Sequence, residues 1–178
     1  GGSSNVLELA ALIAINRIIG RGENFEDTSN NVLLTELLLG SMGGWQDHLG
    51  AYYPGIKELV TSPGEIFPRR HPIDLGPDEM AALQQSLILW DSDVHRDSAT
   101  DEHKAMFSVQ MSPQGYINTL RRRATAVHER MIGALERGDM ASLGRLLTEK
   151  YNLAKLTSPG VRTGYLDDAI AKAEGSTQ

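Results

Sequence analysis

Gly43-Gly44-Trp45-Gln46-Asp47-His48, followed by Gly50 and by Pro54-Gly55-Ile56-Lys57, is the stretch on which the reading of this chain turns. An aspartate in a glycine-rich segment can accept a proton from an attacking hydroxyl. It can equally be a turn residue whose carboxylate bonds its own backbone, the more frequent role for Asp beside Gly. The segment from Gly40 to Gly50 is Gly-rich, and Asp47 reads as lying in a turn.

Upstream of that loop, an apolar segment predicts a helix over about 30–39, with Asp27, Thr28 and Ser29 as cap candidates and Gly40 as its stop. Glu36 stands inside it among Val32, Leu33, Leu34, Leu37, Leu38 and Leu39. A carboxylate so flanked faces solvent, meets a non-local partner or holds a metal ion. Helical spacing places no basic side chain beside it, which favours the non-local partner. Residues 5–19 predict a further helix, apolar nearly all round and therefore buried, stopped by Gly20 and Gly22. Gly1-Gly2-Ser3-Ser4 stands directly before it. Glycines let backbone amides approach an oxyanion, a helix N-terminus adds free N–H donors, and serine hydroxyls donate to phosphate or ligate Mg²⁺. The same four residues also read as a simple cap or an expression scar. Their lack of a Met start reads alternatively as a fragment with sequence upstream.

Downstream, Pro and Gly punctuate short β-like pieces at 56–60, 65–67 and 72–75. Pro77-Asp78-Glu79 opens a helical turn, 86–90 reads as a buried strand, and 91–103 as a polar loop. Ser112-Pro113 predicts the start of a helix running to about Arg137 and closed by Gly138. Asp139 caps the next, about 140–156, and Thr163 a last one over about 165–173. The shift near Gly76 from turns and strands to long helices marks a domain boundary. The alternation Asp91, Asp93, His95, Asp97 fits no common metal motif, and Met106 and Met111 read as fillers.

With 17 basic and 23 acidic residues the chain carries a net charge of -6. That balance argues against a nucleic-acid backbone as partner, and Arg121-Arg122-Arg123 reads as a solvated helix face. The absence of cysteine excludes disulfides and thiolate metal sites. No apolar run is long enough to span a bilayer, and no signal peptide is recognised, so a cytoplasmic protein is expected.

In combination these pieces resemble the sugar kinases of the GHMP superfamily, nearest the L-fucokinase branch. Gly1-Gly2-Ser3-Ser4 before a helix resembles the tail of the family's Gly-rich phosphate motif. Glu36 resembles its Mg²⁺-binding glutamate and Asp47 its catalytic aspartate. The run from Gly43 to Asp47, with Gly50 and Pro54-Gly55-Ile56-Lys57, is particular to fucokinase-like members. Glu136-Arg137-Gly138-Asp139, Leu143-Gly144-Arg145-Leu146-Leu147, Lys155-Leu156 and Ser158-Pro159-Gly160 are similar to their helical part. The resemblance implies an α+β fold, part of an N-terminal α/β domain over 1–76 followed by a mostly helical C-terminal domain over 77–178. It implies transfer of phosphate from ATP to the anomeric hydroxyl of a free, fucose-like sugar. Gly1, Gly2, Ser3 and Ser4 would hold ATP, Ser4 and Glu36 would hold Mg²⁺ (with Ser3 the alternative for Ser4), and Asp47 would be the base. Trp45 and Gln46 would meet the sugar, although Trp45 reads equally as core. A fused nucleotidyltransferase domain is a further implication.

The chain departs from the family where His48 replaces a usual Gln and where 90–96 lack the usual Tyr-Thr-Gly-Lys-Thr-Arg-like segment. The first half of the Gly-rich motif, the N-terminal substrate motif and a later Gly-rich motif are also lacking. The rival readings are a heptose-phosphate or galactose-type kinase, a sugar-binding regulator without turnover, and a helical interaction module in which Glu36 and Asp47 face apart.

Overall fold

The computed structural model describes residues 3–22, 24–39, 44–62, 64–65, 67–88, 108–109, 111–157, 167–168 and 170–172. The chain divides into two compact units, Gly1–Asp74 and Leu75–Gln178. Among the described residues the fold is mostly helical with one two-stranded sheet. No described helix is long and apolar enough to cross a membrane.

The first unit contains α1 (Ser3–Ile18), α2 (Phe25–Leu38), α3 (Gln46–Tyr52), β1 (Lys57–Val60) and β2 (Arg69–Pro72). Helix α1 packs against α2 and α3. The all-round burial expected of α1 is not what the unit shows. Asn5 and Leu9 are buried, whereas Leu7, Ile15 and Ile18 are exposed, because its neighbours in this unit cover a single stripe.

Helix α2 begins earlier than its sequence suggested. Asn24 caps it, its Oδ1 accepting from the N–H groups of Glu26 and Asp27. Asp27, Thr28 and Ser29, read as caps, lie inside the helix, and the hydroxyl of Thr28 donates back to Asn24 O at 2.9 Å. Asn24 satisfies two of the orphan donors of the first turn, leaving no need for a later cap.

Asp47, read as lying in a Gly-rich turn, stands in the first turn of helix α3. Its C-terminal end is held by Lys57, whose ammonium donates to the carbonyls of Gly50, Tyr53 and Gly55. A cation spent on three carbonyls at a helix exit satisfies orphan acceptors and opposes the negative end of the helix dipole. Gly55 makes that turn at φ +75°, a left-handed conformation open to glycine. The Pro-Gly-Ile-Lys run thus has a structural role, the termination of α3.

Strands β1 and β2 pair antiparallel, with Glu58 opposite His71 and 3.3 Å between Glu58 Oε2 and His71 Nδ1. The expected strand at 56–60 is present. The pieces expected at 65–67 and 72–75 give way to Arg69–Pro72, whose four residues are all exposed and show no apolar alternation. Phe25 stacks on Tyr52, Tyr53 and Phe67 meet it edge-on, and Arg70 lies over Tyr53.

The second unit contains α4 (Pro77–Ser86), α5 (Gln114–Glu136) and α6 (Met140–Thr157). Val127 and Ala134 from α5 and Leu143, Leu146 and Leu153 from α6 form its core. Their spacing of about one or two turns puts each set on one stripe. The buried strand expected at 86–90 is absent at its described end: Ser86 closes α4, and Leu87 and Ile88 are exposed. Helix α5 starts at Gln114 with Pro113 as its cap residue and no capping side chain, where Ser112 had been expected in that role. Arg121, Arg122 and Arg123 are exposed on it. Most of the expected helix over 165–173 and the loop over 91–103 lie outside the described residues.

The α5–α6 turn is legible in full. Asp139 N donates to Ala134 O and Gly138 N to Leu135 O, the paired bonds of a Schellman cap, with Gly138 at φ +65°. A Cβ on Gly138 would also press on Glu79 of α4 at 3.2 Å. Asp139 then caps α6, its Oδ1 accepting from Ser142 N at 2.9 Å. Hydrogen bonds from the Ser142 hydroxyl and N–H, helped by Arg145 and Arg137, hold the Asp139 carboxyl below its ordinary value. A carboxyl whose folded value is depressed stabilises the fold above its unfolded value and loses that contribution as pH falls through the folded one. Asp139→Ala is therefore expected to lower the urea midpoint at neutral pH, with the gap shrinking at acid pH. A gap of equal size at both would remove the carboxylate charge from the cap.

Candidate functional site

Helix α2 buries the wrong residues for a purely structural helix. Thr28, Ser29, Val32 and Glu36 are buried, while Leu34, Leu37, Leu38 and Leu39 are exposed. Apolar burial stabilises by about 25 cal/mol per Å², and a buried carboxylate costs free energy unless a partner compensates. The buried face of α2 is therefore largely polar, with Thr28 and Ser29 bonded within the fold.

Three helices bring their charges to it. Asn16 of α1 donates to Thr28 Oγ1 of α2 at 3.3 Å and fixes the register of the helical hairpin. Eight residues back from Asn16 is Glu8, and eight residues on from Thr28 is Glu36. Equal steps along the two helices therefore bring Glu8 level with Glu36. Helix α3 supplies Asp47 in its first turn and His48 beside it.

His48 is the centre of the arrangement. Its side chain is fully buried, and Nε2 lies 2.6 Å from Ser29 Oγ. Burial holds the imidazole below its ordinary value, although the carboxylates of Asp47, Glu8 and Glu36 all pull the other way. Among the described residues His48 Nδ1 has no hydrogen-bond partner, and neither has the buried Nε1 of Trp45. Trp45 is half-buried as the cap residue of α3, and Gln46 is exposed, with its amide folded over Gly44.

Glu36 and Asp47 thus both act electrostatically on one imidazole, and Trp45 and Gln46 lie in the turn that leads into it. Ser4 is exposed in the first turn of α1, four residues before Glu8, and its hydroxyl donates to Asn5 Oδ1 at 3.1 Å. Gly1, Gly2 and the Ser3 side chain lie outside the described residues. Sequence reasoning passed over Glu8 and the Ser29–His48 pair. A glutamate within an apolar helix was the signal for the first. Nothing in the spacing of Ser29 and His48 announced the second, since the two are 19 residues apart and meet only through the fold.

Glu36 and Asp47 carry oxygen donors of the kind a hard cation takes. Among the described residues no three His, Cys, Asp or Glu side chains form a metal cluster. Mg²⁺ requires no protein cage, being held by one or two carboxylates with phosphate oxygens and water. The imidazole is engaged with Ser29, which leaves oxygen ligands.

Two curated relatives match the chain. One is the bifunctional fucokinase/GDP-fucose pyrophosphorylase of Arabidopsis thaliana, 27% identical over 169 residues, covering 93% of this chain and 16% of that protein. The other is the L-fucokinase/L-fucose-1-P guanylyltransferase of Bacteroides fragilis, 25% identical over 162 residues, covering 89% of this chain and 17% of that protein. The chain spans about one sixth of the length of the curated relatives it matches. No family model matches it, and no solved structure does.

Proposed function

We propose that this chain carries part of the active site of an ATP-dependent sugar kinase of the GHMP type, which phosphorylates the anomeric hydroxyl of L-fucose or a closely similar sugar. The observation that carries the proposal is that Glu8, Glu36 and Asp47, from three helices, all act electrostatically on one buried imidazole. The similarity to two fucokinase-bearing proteins over most of the chain supports it.

Phosphoryl transfer needs positioning and charge neutralisation more than covalent chemistry. Glu36 and the Ser4 hydroxyl would hold Mg²⁺, which when bound neutralises charge on the β- and γ-phosphates. Asp47 orients the anomeric hydroxyl and accepts its proton as the oxygen attacks the γ-phosphorus of ATP, whose bond to the bridging oxygen breaks to release ADP. Trp45 would offer an apolar ring face to the sugar, and the exposed Gln46 an amide. The backbone amides that open α1, with Gly1, Gly2, Ser3 and Ser4, would face the nucleotide phosphates.

The intact protein incubated with labelled ATP, Mg²⁺ and a panel of L-fucose, galactose and a heptose phosphate is expected to label L-fucose at the anomeric position. Labelling of the heptose phosphate or galactose instead would transfer the site to a sister kinase. Sugar binding with no label on any acceptor would make the protein a regulator.

A further inference from the structure

We infer that the Ser29–His48 hydrogen bond is a strut that sets Asp47 against Glu36, making His48 a positioning residue of the proposed phosphoryl transfer. The inference rests on the kinase reading for its role in turnover but not for its structural part.

The largest fully buried side chains among the described residues are Leu49, His48, Val32 and Ser29. Two belong to α2 and two to α3, helices that both pack against α1, and the Ser29–His48 bond joins them directly. The polar pair at its middle is 2.6 Å apart. A buried polar pair of this kind is costly to break, because either partner left alone loses a hydrogen bond it cannot replace with water. It therefore fixes two rotamers and the spacing of two helices.

Each partner is tied to a carboxylate. Ser29 lies seven residues before Glu36, two turns along the same buried stripe of α2. His48 directly follows Asp47, so locking its ring fixes the rotation of the turn that presents Asp47. The charged groups that bear on the imidazole are Glu8 from α1, Glu36 from α2 and Asp47 from α3 itself. None is within hydrogen-bonding reach of Nδ1. The ring is held by serine and lies amid the carboxylates without being consumed by them.

Three variants test the strut in the intact protein: Ser29→Ala, His48→Phe and His48→Gln. The first removes the hydroxyl with little change in volume, the second keeps a ring without nitrogen, and the third restores an amide able to bond Ser29. Ser29→Ala and His48→Phe are expected to speed amide exchange in the first turns of α3 about tenfold. They are expected to lower kcat with ATP·Mg²⁺ and L-fucose about 10–100-fold, with the KM for ATP·Mg²⁺ nearly unchanged. His48→Gln is expected to recover most of both. Faster exchange with an unchanged kcat would overturn the positioning role, and unchanged exchange in Ser29→Ala would overturn the strut. If the unaltered protein phosphorylates no sugar, the kinase reading fails, and the exchange rates alone decide whether the strut stands.

Discussion

Asp47→Asn is expected to lower the turnover of sugar phosphorylation about 10²–10⁴-fold while leaving the melting temperature almost unchanged. That loss corresponds to roughly 3–5 kcal/mol of barrier. The two effects separate because of where Asp47 sits. It occupies the first turn of α3, is half-buried, and is not part of the fully buried set of Leu49, His48, Val32 and Ser29. Asparagine keeps the shape and is well tolerated near a helix start. Only the interaction of its charge with the positive end of the helix is lost, worth about 0.3–1 kcal/mol. The amide cannot take the proton of the anomeric hydroxyl. Steady-state kinetics at saturating ATP and L-fucose, with melting curves on the same samples, measure both. Near-normal turnover would remove Asp47 as the base, and a parallel collapse of stability would mean that it belongs to the fold.

The site was only partly written in short-range pattern. Glu36 stood out because a carboxylate among leucines is an anomaly at any helical register, and it is indeed buried. That the leucines around it would be exposed could not be read, since burial depends on which face α1 and α3 cover. Helix α3 was hidden by the glycine density of its approach and by its own Gly50, both of which count against a helix. A helix of seven residues owes little to propensity and most of its existence to tertiary anchors. Those anchors are the burial of His48 and Leu49 and the Lys57 cap. The start of α2 was misplaced for a local reason. Three capping residues in a row, Asp27, Thr28 and Ser29, outweighed a single asparagine that makes the actual bonds. By contrast the α5–α6 turn was correctly drawn from Gly138 and Asp139, because a left-handed glycine and a capping aspartate act within a few residues of themselves. Structure that is decided within a turn is legible, and structure decided by a partner helix is not.

Glu36→Gln is expected to weaken the apparent affinity for Mg²⁺ about 10–100-fold, in an assay that titrates the metal at fixed ATP, while leaving stability equal or higher. The physical reason is the cost of keeping a carboxylate out of water. Glu36 is 7% exposed, and the effective penalty for burying an ion is several kcal/mol before compensation. A neutral amide of the same shape avoids most of that penalty and can still bond its neighbours. If the only task of Glu36 were to hold α2 in place, the amide would serve as well or better. What an amide could not replace is the negative charge itself, and on the proposed kinase reading that charge would face a divalent cation on the phosphates of ATP. Loss of stability in Glu36→Gln with an unchanged Mg²⁺ requirement would show instead that the carboxylate is matched inside the fold. The metal would then have to be held by other oxygens.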